Sequence, residues 1–250
     1  MLDDDPFDPL PGQFVAFDLV GHHEYRRSPY CLLGVEGRTF EILVRRVPQG
    51  PISQFLVGLR PDDEVGFRGP TGRSMIPRRP GPMVAFATGV GISPCLFLAE
   101  SLASLPDARL PLRVFWGLRL PDDLCLEEEI ARLEARGTLR VTVSLSRPPS
   151  DWHGLRGRIT ETVPPLLSEV ADTWFYLVSN GRMVAEMRAA LEEIGVDRNR
   201  IYCESFFDHR HRPDPDTVAE IVARFPPAAR TGLATLSLLT GRGRDLLSRP

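Results

Sequence analysis

The 250-residue sequence contains no lysine, so all 30 of its basic residues are arginines. Coding bias in a GC-rich genome would explain this, and arginine-based recognition of a ligand is the alternative. Acidic residues number 33, which leaves a formal net charge of −3. A chain with this charge has no basic field for gripping phosphates, and we expect no nucleic-acid partner.

Cysteine is also scarce, and its four positions lie far apart in the sequence: Cys31, Cys95, Cys125 and Cys203. They lack the close pairing of a zinc or iron–sulfur site and fit a reducing compartment better than a disulfide-stapled fold. The first residues are acidic rather than leader-like, and no apolar run is long enough to cross a bilayer. We therefore expect a cytoplasmic protein without a membrane span.

Signatures of several enzyme classes are missing as well. The sequence has neither a Gly-x-Ser-x-Gly nucleophile elbow nor a phosphate loop that ends in Gly-Lys-Ser/Thr. Its five histidines include His22-His23 and the pair His209 and His211, but no carboxylate or thiolate is spaced around them. We expect no metal site.

A proline-rich stretch at 78–82 separates two parts of the sequence that differ in their pattern of apolar residues. Before it, short apolar runs are broken by Gly and Pro, which predicts an antiparallel β-barrel or sandwich over residues 1–80. The predicted strands are Phe14–Val20, Tyr30–Leu33, Thr39–Val44 and Asp63–Phe67.

After that stretch, continuous apolar runs alternate with helical patterns, which predicts an α/β doubly wound parallel sheet over residues 81–207. The predicted strands are Met83–Ala87, Leu112–Trp116, Leu139–Ser144 and Trp174–Val178. The predicted helices are Ser93–Ala103, Asp122–Arg136 and a third that Asn180 caps and Gly195 ends. Such a fold binds its ligand at the carboxyl ends of the strands.

Residues 208–250 form a separate C-terminal extension. Asp216–Phe225 fits one short amphipathic helix, and the remainder shows no clear pattern. We expect a loosely packed extension, with a docking element for a partner as the alternative.

The segment from Thr88 to Pro94 joins the first parallel strand to a helix through Gly89 and Gly91. Glycines let the backbone turn sharply and approach a ligand, and the free amides of a helix N-terminus favour a diphosphate. A tight turn without a ligand is the alternative. The position of this glycine segment, directly after the first strand of a parallel unit, favours a nucleotide site.

Several motifs now coincide in one order. They are Pro11-Gly12-Gln13-Phe14, Pro29-Tyr30, Gly50-Pro51-Ile52-Ser53, Gly69-Pro70-Thr71-Gly72, the glycine turn, Gly117-Leu118-Arg119, Ser146-Arg147 and Glu204-Ser205-Phe206-Phe207. Over residues 10–207 the chain resembles the ferredoxin–NADP reductase superfamily, in which a flavin-binding barrel precedes a nicotinamide-binding α/β domain. The resemblance implies FAD in preference to FMN, and either NADH or NADPH.

The resemblance also implies roles for individual residues. Tyr30 would lie against the flavin, and Glu204 and Phe206 would close its nicotinamide side, so these three are the candidate catalytic residues. Other cofactor-binding candidates in the barrel part of the chain are Arg27, Ser28, Pro29, Cys31, Arg45, Gly50, Ile52 and Ser53. The dinucleotide would contact Thr88, Gly89, Gly91, Gly117, Arg119, Ser146, Arg147, Ser179, Asn180 and Met183. Core packing for Tyr30, solvated charge for Arg119 and Arg147, and a capping role for Glu204 are the alternatives.

The sequence departs from the family pattern in three places. The flavin motif Arg-x-Tyr-Ser/Thr is represented by Ser28-Pro29-Tyr30-Cys31, so its arginine is displaced to Arg27 or Arg26 and its hydroxyl is replaced by a thiol. The Cys-Gly near the nicotinamide is replaced by Val178-Ser179. Only ten residues precede Pro11, so the barrel would be open, shortened, or completed by a partner or dimer contact at an unpaired edge.

We therefore expect an NAD(P)H-dependent flavoprotein reductase that delivers electrons to a ferredoxin, another iron–sulfur protein, an oxygenase or a small acceptor. A non-catalytic relative that keeps the fold as a binding or regulatory module is the main alternative. A third hypothesis is an electron-transfer subunit of a larger complex.

Overall fold

The computed structural model describes residues 7–18, 27–37, 39–46, 51–61, 63, 65–104, 111–168, 170–206, 231–232 and 236–240. Within these residues the chain forms two six-stranded sheets. The first holds strands from both ends of the chain, and the second holds the strands of its middle part. No helix among the described residues is long and apolar enough to cross a membrane.

The first sheet has the strand order β11-β4-β1-β2-β3-β12. Its strands are β1 Phe14–Asp18, β2 Arg27–Glu36, β3 Thr39–Val44, β4 Phe67–Thr71, β11 Thr231–Gly232 and β12 Leu236–Thr240. All neighbours are antiparallel except β12, which runs parallel to β3. Helix α1, Pro51–Gly58, follows β3 and contacts both β3 and β12.

The edges of this sheet lie close together because the chain joins them directly. Gly232 in β11 and Leu236 in β12 are separated by four Cα–Cα steps, which span at most about 15 Å. Six strands laid flat at about 4.8 Å spacing would put their edges about 24 Å apart. The sheet must therefore curl into a barrel-like shape, as the sequence predicted for this part of the chain.

The sequence analysis assigned no strand to the C-terminal extension, yet β11 and β12 pair with β4 and β3 there. The two positions that they occupy would otherwise be the unpaired edges of the barrel. A dimer or partner contact at the barrel stays a prediction. The helix predicted at Asp216–Phe225 lies outside the described residues.

The second sheet is entirely parallel, in the order β10-β9-β5-β6-β7-β8. Its strands are β5 Met83–Thr88, β6 Leu112–Leu118, β7 Leu139–Leu145, β8 Leu155–Arg156, β9 Trp174–Asn180 and β10 Ile201–Phe206. Its helices are α2 Ser93–Ala103, α3 Glu127–Ala135, α4 Ile159–Thr162 and α5 Gly181–Glu193. This is the doubly wound sheet that the alternating pattern predicted.

Two predicted elements were wrong in their extent. The helix predicted at Asp122–Arg136 is split into a 3-10 turn at Pro121–Asp123 and the later α3, because Leu126 has a left-handed φ of 59° that no helix accommodates. The strand predicted at Asp63–Phe67 begins only at Phe67, where pairing with β1 starts. The first error arises from the backbone conformation of a single residue, and the second from pairing with a strand that is distant in the sequence.

Candidate functional site

The sequence-predicted nucleotide residues lie at one edge of the parallel sheet. Thr88 ends β5 and Asn180 ends β9, while Gly117 lies beside Thr88 in the register between β5 and β6. Ser146 and Arg147 follow the end of β7. Since all strands point the same way, their carboxyl ends form the rim at which this architecture binds ligands.

The glycine turn continues from β5 as a 3-10 helix, Gly89–Ile92, that leads into α2. Gly89 has a φ of +52°, and a Cβ added there would meet only the Arg45 Nη1 atom, at 3.9 Å. The Gly89 carbonyl accepts a hydrogen bond of 2.9 Å from the indole Nε1 of Trp116, which is fully buried. Sequence reasoning missed this role because Trp116 reads only as one more apolar residue of β6.

Gly91 is a glycine for a packing reason. A Cβ at this position would lie 2.3 Å from the Val178 carbonyl oxygen and 3.0 Å from Cζ of Phe206. The turn therefore rests directly on β9 and on the ring of Phe206. This contact places one candidate catalytic residue against the turn expected to receive the dinucleotide.

Thr88 and Ser179 are joined by a short hydrogen bond between their hydroxyl oxygens. The Asn180 side chain accepts a 3.0 Å hydrogen bond from the Met183 N–H and so caps α5, as the sequence predicted. The Met183 side chain is buried in the core. The structure thus gives Asn180 and Met183 structural roles, and contact with a cofactor stays a prediction for both.

The loops after β6 and β7 are held together by backbone hydrogen bonds. The N–H of Ser146 donates to Leu118 O and that of Arg147 to Arg119 O, each at 3.0 Å. The two exposed arginines therefore leave adjacent loops side by side. Gly117 is close-packed as well, since an added Cβ would lie 3.1 Å from Ile159 Cγ2.

On the barrel side, β2 carries the candidate flavin residues. The ring of Tyr30 meets that of Phe17 edge-on, with centroids 5.6 Å apart, and burial raises the pKa of Tyr30 to about 12. Burial, with the charge of Glu204 and the nearby Cys95, also raises the pKa of Cys31. Tyr30 and Cys31 are therefore neutral at physiological pH.

The charge of Glu204 on β10 thus acts on a thiol of the barrel. Tyr202, two residues before Glu204, donates a 2.9 Å hydrogen bond to the carbonyl of Arg73 in the barrel and approaches a Glu204 oxygen at 3.4 Å. Burial and the Glu204 charge raise the pKa of Tyr202. Contact of Tyr30, Cys31 and Glu204 with a flavin stays a prediction. Sequence reasoning missed Tyr202, whose only sequence signal is its place in an apolar strand.

The predicted flavin-phosphate segment begins helix α1. Ile52 and Ser53 are buried in its first turn, and that turn carries no acidic residue to repel an anion. Arg27, Ser28 and Pro29 lie in β2, where the backbone of Arg27 is opposite that of Asp18 in β1. Gly50 and the side chain of Arg27 lie outside the described part of the structure.

These residues fit the two cofactors that the resemblance implies. The open space over Gly89, with a guanidinium 3.9 Å away, suits a diphosphate. A half-buried phenol on β2 suits one face of an isoalloxazine, and the acid-free start of α1 suits its phosphate. Among the described residues, no group of three or more His, Cys, Asp or Glu could hold a metal.

Comparison with known proteins agrees with this arrangement of flavin and nicotinamide sites. Residues 4–76 match the oxidoreductase FAD-binding domain, and residues 84–189 match the oxidoreductase NAD-binding domain. Ferredoxin–NADP reductase B of Sorangium cellulosum is 32% identical over 178 residues, which cover 67% of this chain and 72% of the relative. The chain belongs to the ferredoxin–NADP reductase superfamily.

Other relatives extend the comparison. The reductase component of propane 2-monooxygenase from Mycolicibacterium smegmatis is 27% identical over 210 residues, which cover 80% of this chain and 60% of that protein. The crystal structure of the Amycolatopsis cytochrome P450 reductase GcoB matches with a TM-score of 0.71 and 25% identity, over 81% of this chain and 62% of that one. The chain thus spans less than two thirds of these two proteins.

Proposed function

We propose that this protein is an NAD(P)H-dependent flavoprotein reductase, in which FAD receives a hydride from the nicotinamide and passes electrons to an acceptor. The observation that carries the proposal is the approach of two candidate surfaces. The charge of Glu204 on β10 acts on the thiol of Cys31 on β2, while Phe206 of the same strand lies against the glycine turn. The residues expected to hold the flavin therefore lie close to those expected to hold the nicotinamide.

The chain's own residues would bind and orient the reacting groups. Tyr30 presents a neutral aromatic face, and its edge contact with Phe17 fixes the plane of the ring. Arg45 supplies positive charge beside Gly89 for a diphosphate. Desolvation keeps the Cys31 thiol neutral beside the Glu204 charge. Hydride transfer depends mainly on such positioning.

Arg119 and Arg147 are proposed to lie at the adenosine end, where a guanidinium can pair with a 2′-phosphate. Their adjacent loops and exposure support this role. Parallel binding titrations with NADPH and NADH test it. Arg147→Gln should weaken NADPH binding more than NADH binding, and an equal effect on both would refute a contact with the 2′-phosphate.

We propose a protein as the electron acceptor, of the ferredoxin, iron–sulfur or oxygenase kind. Support comes from relatives described as reductase components of propane 2-monooxygenase and of naphthalene 1,2-dioxygenase/salicylate 5-hydroxylase systems. All four cysteines of this chain are free, and no group of them in the described structure could hold a metal. Four free thiols also support our proposal of a cytoplasmic location, which cell fractionation tests.

Anaerobic titration of the purified protein tests the proposal. We expect a yellow protein whose visible flavin absorption bleaches on addition of NADH or NADPH and returns with an electron acceptor. A colourless protein that refuses added FAD would overturn it. Binding of dinucleotide without bleaching would instead support a non-catalytic binding module, since Val178-Ser179 and Cys31 depart from the pattern that the family resemblance implies.

A further inference from the structure

Arg45 connects the barrel to the parallel-sheet domain. It follows β3, yet its Nη1 atom lies 3.9 Å from the position of a Cβ on Gly89, and its Nη2 atom lies 4.0 Å from the Oδ1 atom of Asp123. The Arg45 side chain is 58% exposed. One solvent-accessible guanidinium therefore lies beside both the glycine turn and a carboxylate of the opposite domain.

Asp123 is held in place by the loop after β6. Its Oδ2 atom accepts hydrogen bonds from the backbone N–H groups of Arg119, at 3.3 Å, and Leu120, at 3.2 Å. The other oxygen faces Arg45. The carboxylate thus presents a fixed negative charge at the rim where the proposed dinucleotide diphosphate would enter.

We propose that Asp123 is a positioning residue that holds Arg45 while the nucleotide site is empty and competes with the diphosphate for it. This inference rests on the proposed function. A bound diphosphate carries more charge than one carboxylate and takes over the guanidinium through charge-assisted hydrogen bonds. Asp123 consequently lowers the affinity for the dinucleotide and affects the KM more than the kcat.

The direct test is Asp123→Asn. Asparagine keeps an oxygen that can accept the two loop hydrogen bonds, but it loses the charge that faces Arg45. We expect NAD(P)H to bind about two- to fivefold more tightly, the range that one exposed ion pair provides. The difference from wild type should shrink at high ionic strength, because salt screens exposed charges.

Asp122→Asn is the matched control, since it removes the same charge one residue away in the same 3-10 turn. Arg45→Gln should weaken dinucleotide binding, and Asp123→Asn should have little effect in that background, as expected for coupled residues. Flavin content and absorption of each variant are measured first, so that changes at the flavin site are recognised.

The outcomes separate this inference from the proposed function. If the wild-type protein binds neither NADH nor NADPH, the proposed function and this inference fail together. If it binds one of them and Asp123→Asn behaves like Asp122→Asn, only the role of Asp123 is refuted. Weaker binding by Asp123→Asn, or an equal gain with and without Arg45, overturns the competition as well.

Discussion

Replacing Gly91 with alanine is expected to damage the fold and the site together. The added Cβ would lie 2.3 Å from the Val178 carbonyl oxygen, about 1 Å inside a normal carbon–oxygen contact of about 3.3 Å. Val178 is fully buried in β9, which β5 and β10 hold on either side, so the strand has little freedom to yield. Overpacking of this kind costs about 1–3 kcal/mol, and the rigid neighbour favours the upper half of that range.

Such a cost is measurable by thermal unfolding. At about 2–4 °C per kcal/mol for a chain of this size, a loss of about 2–3 kcal/mol lowers the Tm by about 4–12 °C. Phe206 lies 3.0 Å from the same Cβ position, so its ring must shift too. We therefore expect dinucleotide binding to weaken in the fraction that stays folded.

Two other glycines supply the controls for this experiment. An alanine Cβ would meet nothing within 4 Å at Gly181 or at Gly137. Gly181→Ala should leave the Tm unchanged or raise it slightly, because alanine restricts the unfolded chain more than glycine does. Gly137 has a φ of +77°, so Gly137→Ala measures the left-handed backbone cost alone, about 1–2 kcal/mol. If Gly91→Ala melts no lower than Gly137→Ala and binds dinucleotide normally, the packing argument is wrong.

Three further predictions follow from the same structure. Burial raises the pKa of Cys31, and it raises the pKa of Cys95 to about 12. Neither thiol should therefore react with a thiolate-selective reagent at neutral pH until the protein unfolds. Rapid labelling of the folded protein would contradict this prediction. Burial raises the pKa of Glu100, but hydrogen bonding to Arg132 and the charge of that arginine outweigh the effect of burial, so the pKa is lowered. The ion pair therefore stabilises the fold above the ordinary pKa of 4.5, and this stabilisation is lost as the pH falls through the lowered pKa. Urea unfolding across that acidic range should show a smaller pH dependence for Glu100→Gln than for the wild type, and equal slopes would count against the ion pair. Deletion of residues 231–250 should weaken FAD retention and cause self-association, seen by gel filtration, whereas deletion of 241–250 should do neither; a monodisperse, yellow 1–230 protein would show that β11 and β12 are dispensable.

Much of the parallel-sheet domain could be predicted because the residues that determine each strand and helix lie close together in the sequence. Four of its strands are continuous apolar runs, and Asn180 and Gly195 mark the ends of α5 as caps do in other helices. Once the strands are parallel, the rim position of Thr88 and Gly117 follows from chain direction alone. The type of these elements and the position of these two residues at the rim were therefore accessible from the sequence.

What could not be predicted depends on contacts between distant parts of the chain. The pairing of β12 with β3 joins residues about 200 positions apart in the sequence. The periodicity of the C-terminal extension did not indicate this pairing to the sequence analysis. The indole of Trp116 holds the Gly89 carbonyl from a neighbouring strand, and Arg45 meets Asp123 across the domain boundary. Glycine at 91 was predicted for ligand approach, whereas the structure shows a packing demand from Val178.

The domain boundary placed at residue 80 from the change in sequence pattern stays a prediction. The packing indicates that the barrel and the parallel-sheet domain stabilise each other. Phe97 of α2 is buried in the hydrophobic cluster of the barrel, while Leu43 and Met75 of the barrel are buried in the cluster beneath the parallel sheet. Tyr202 adds a hydrogen bond to the barrel carbonyl of Arg73. Separating the domains would expose these apolar side chains to water, at about 25 cal/mol for each Å². The relation between the flavin strand and the glycine turn is therefore set by a shared core, and the freedom needed to admit a dinucleotide must come from exposed side chains at the rim, of which Arg45 is the best placed.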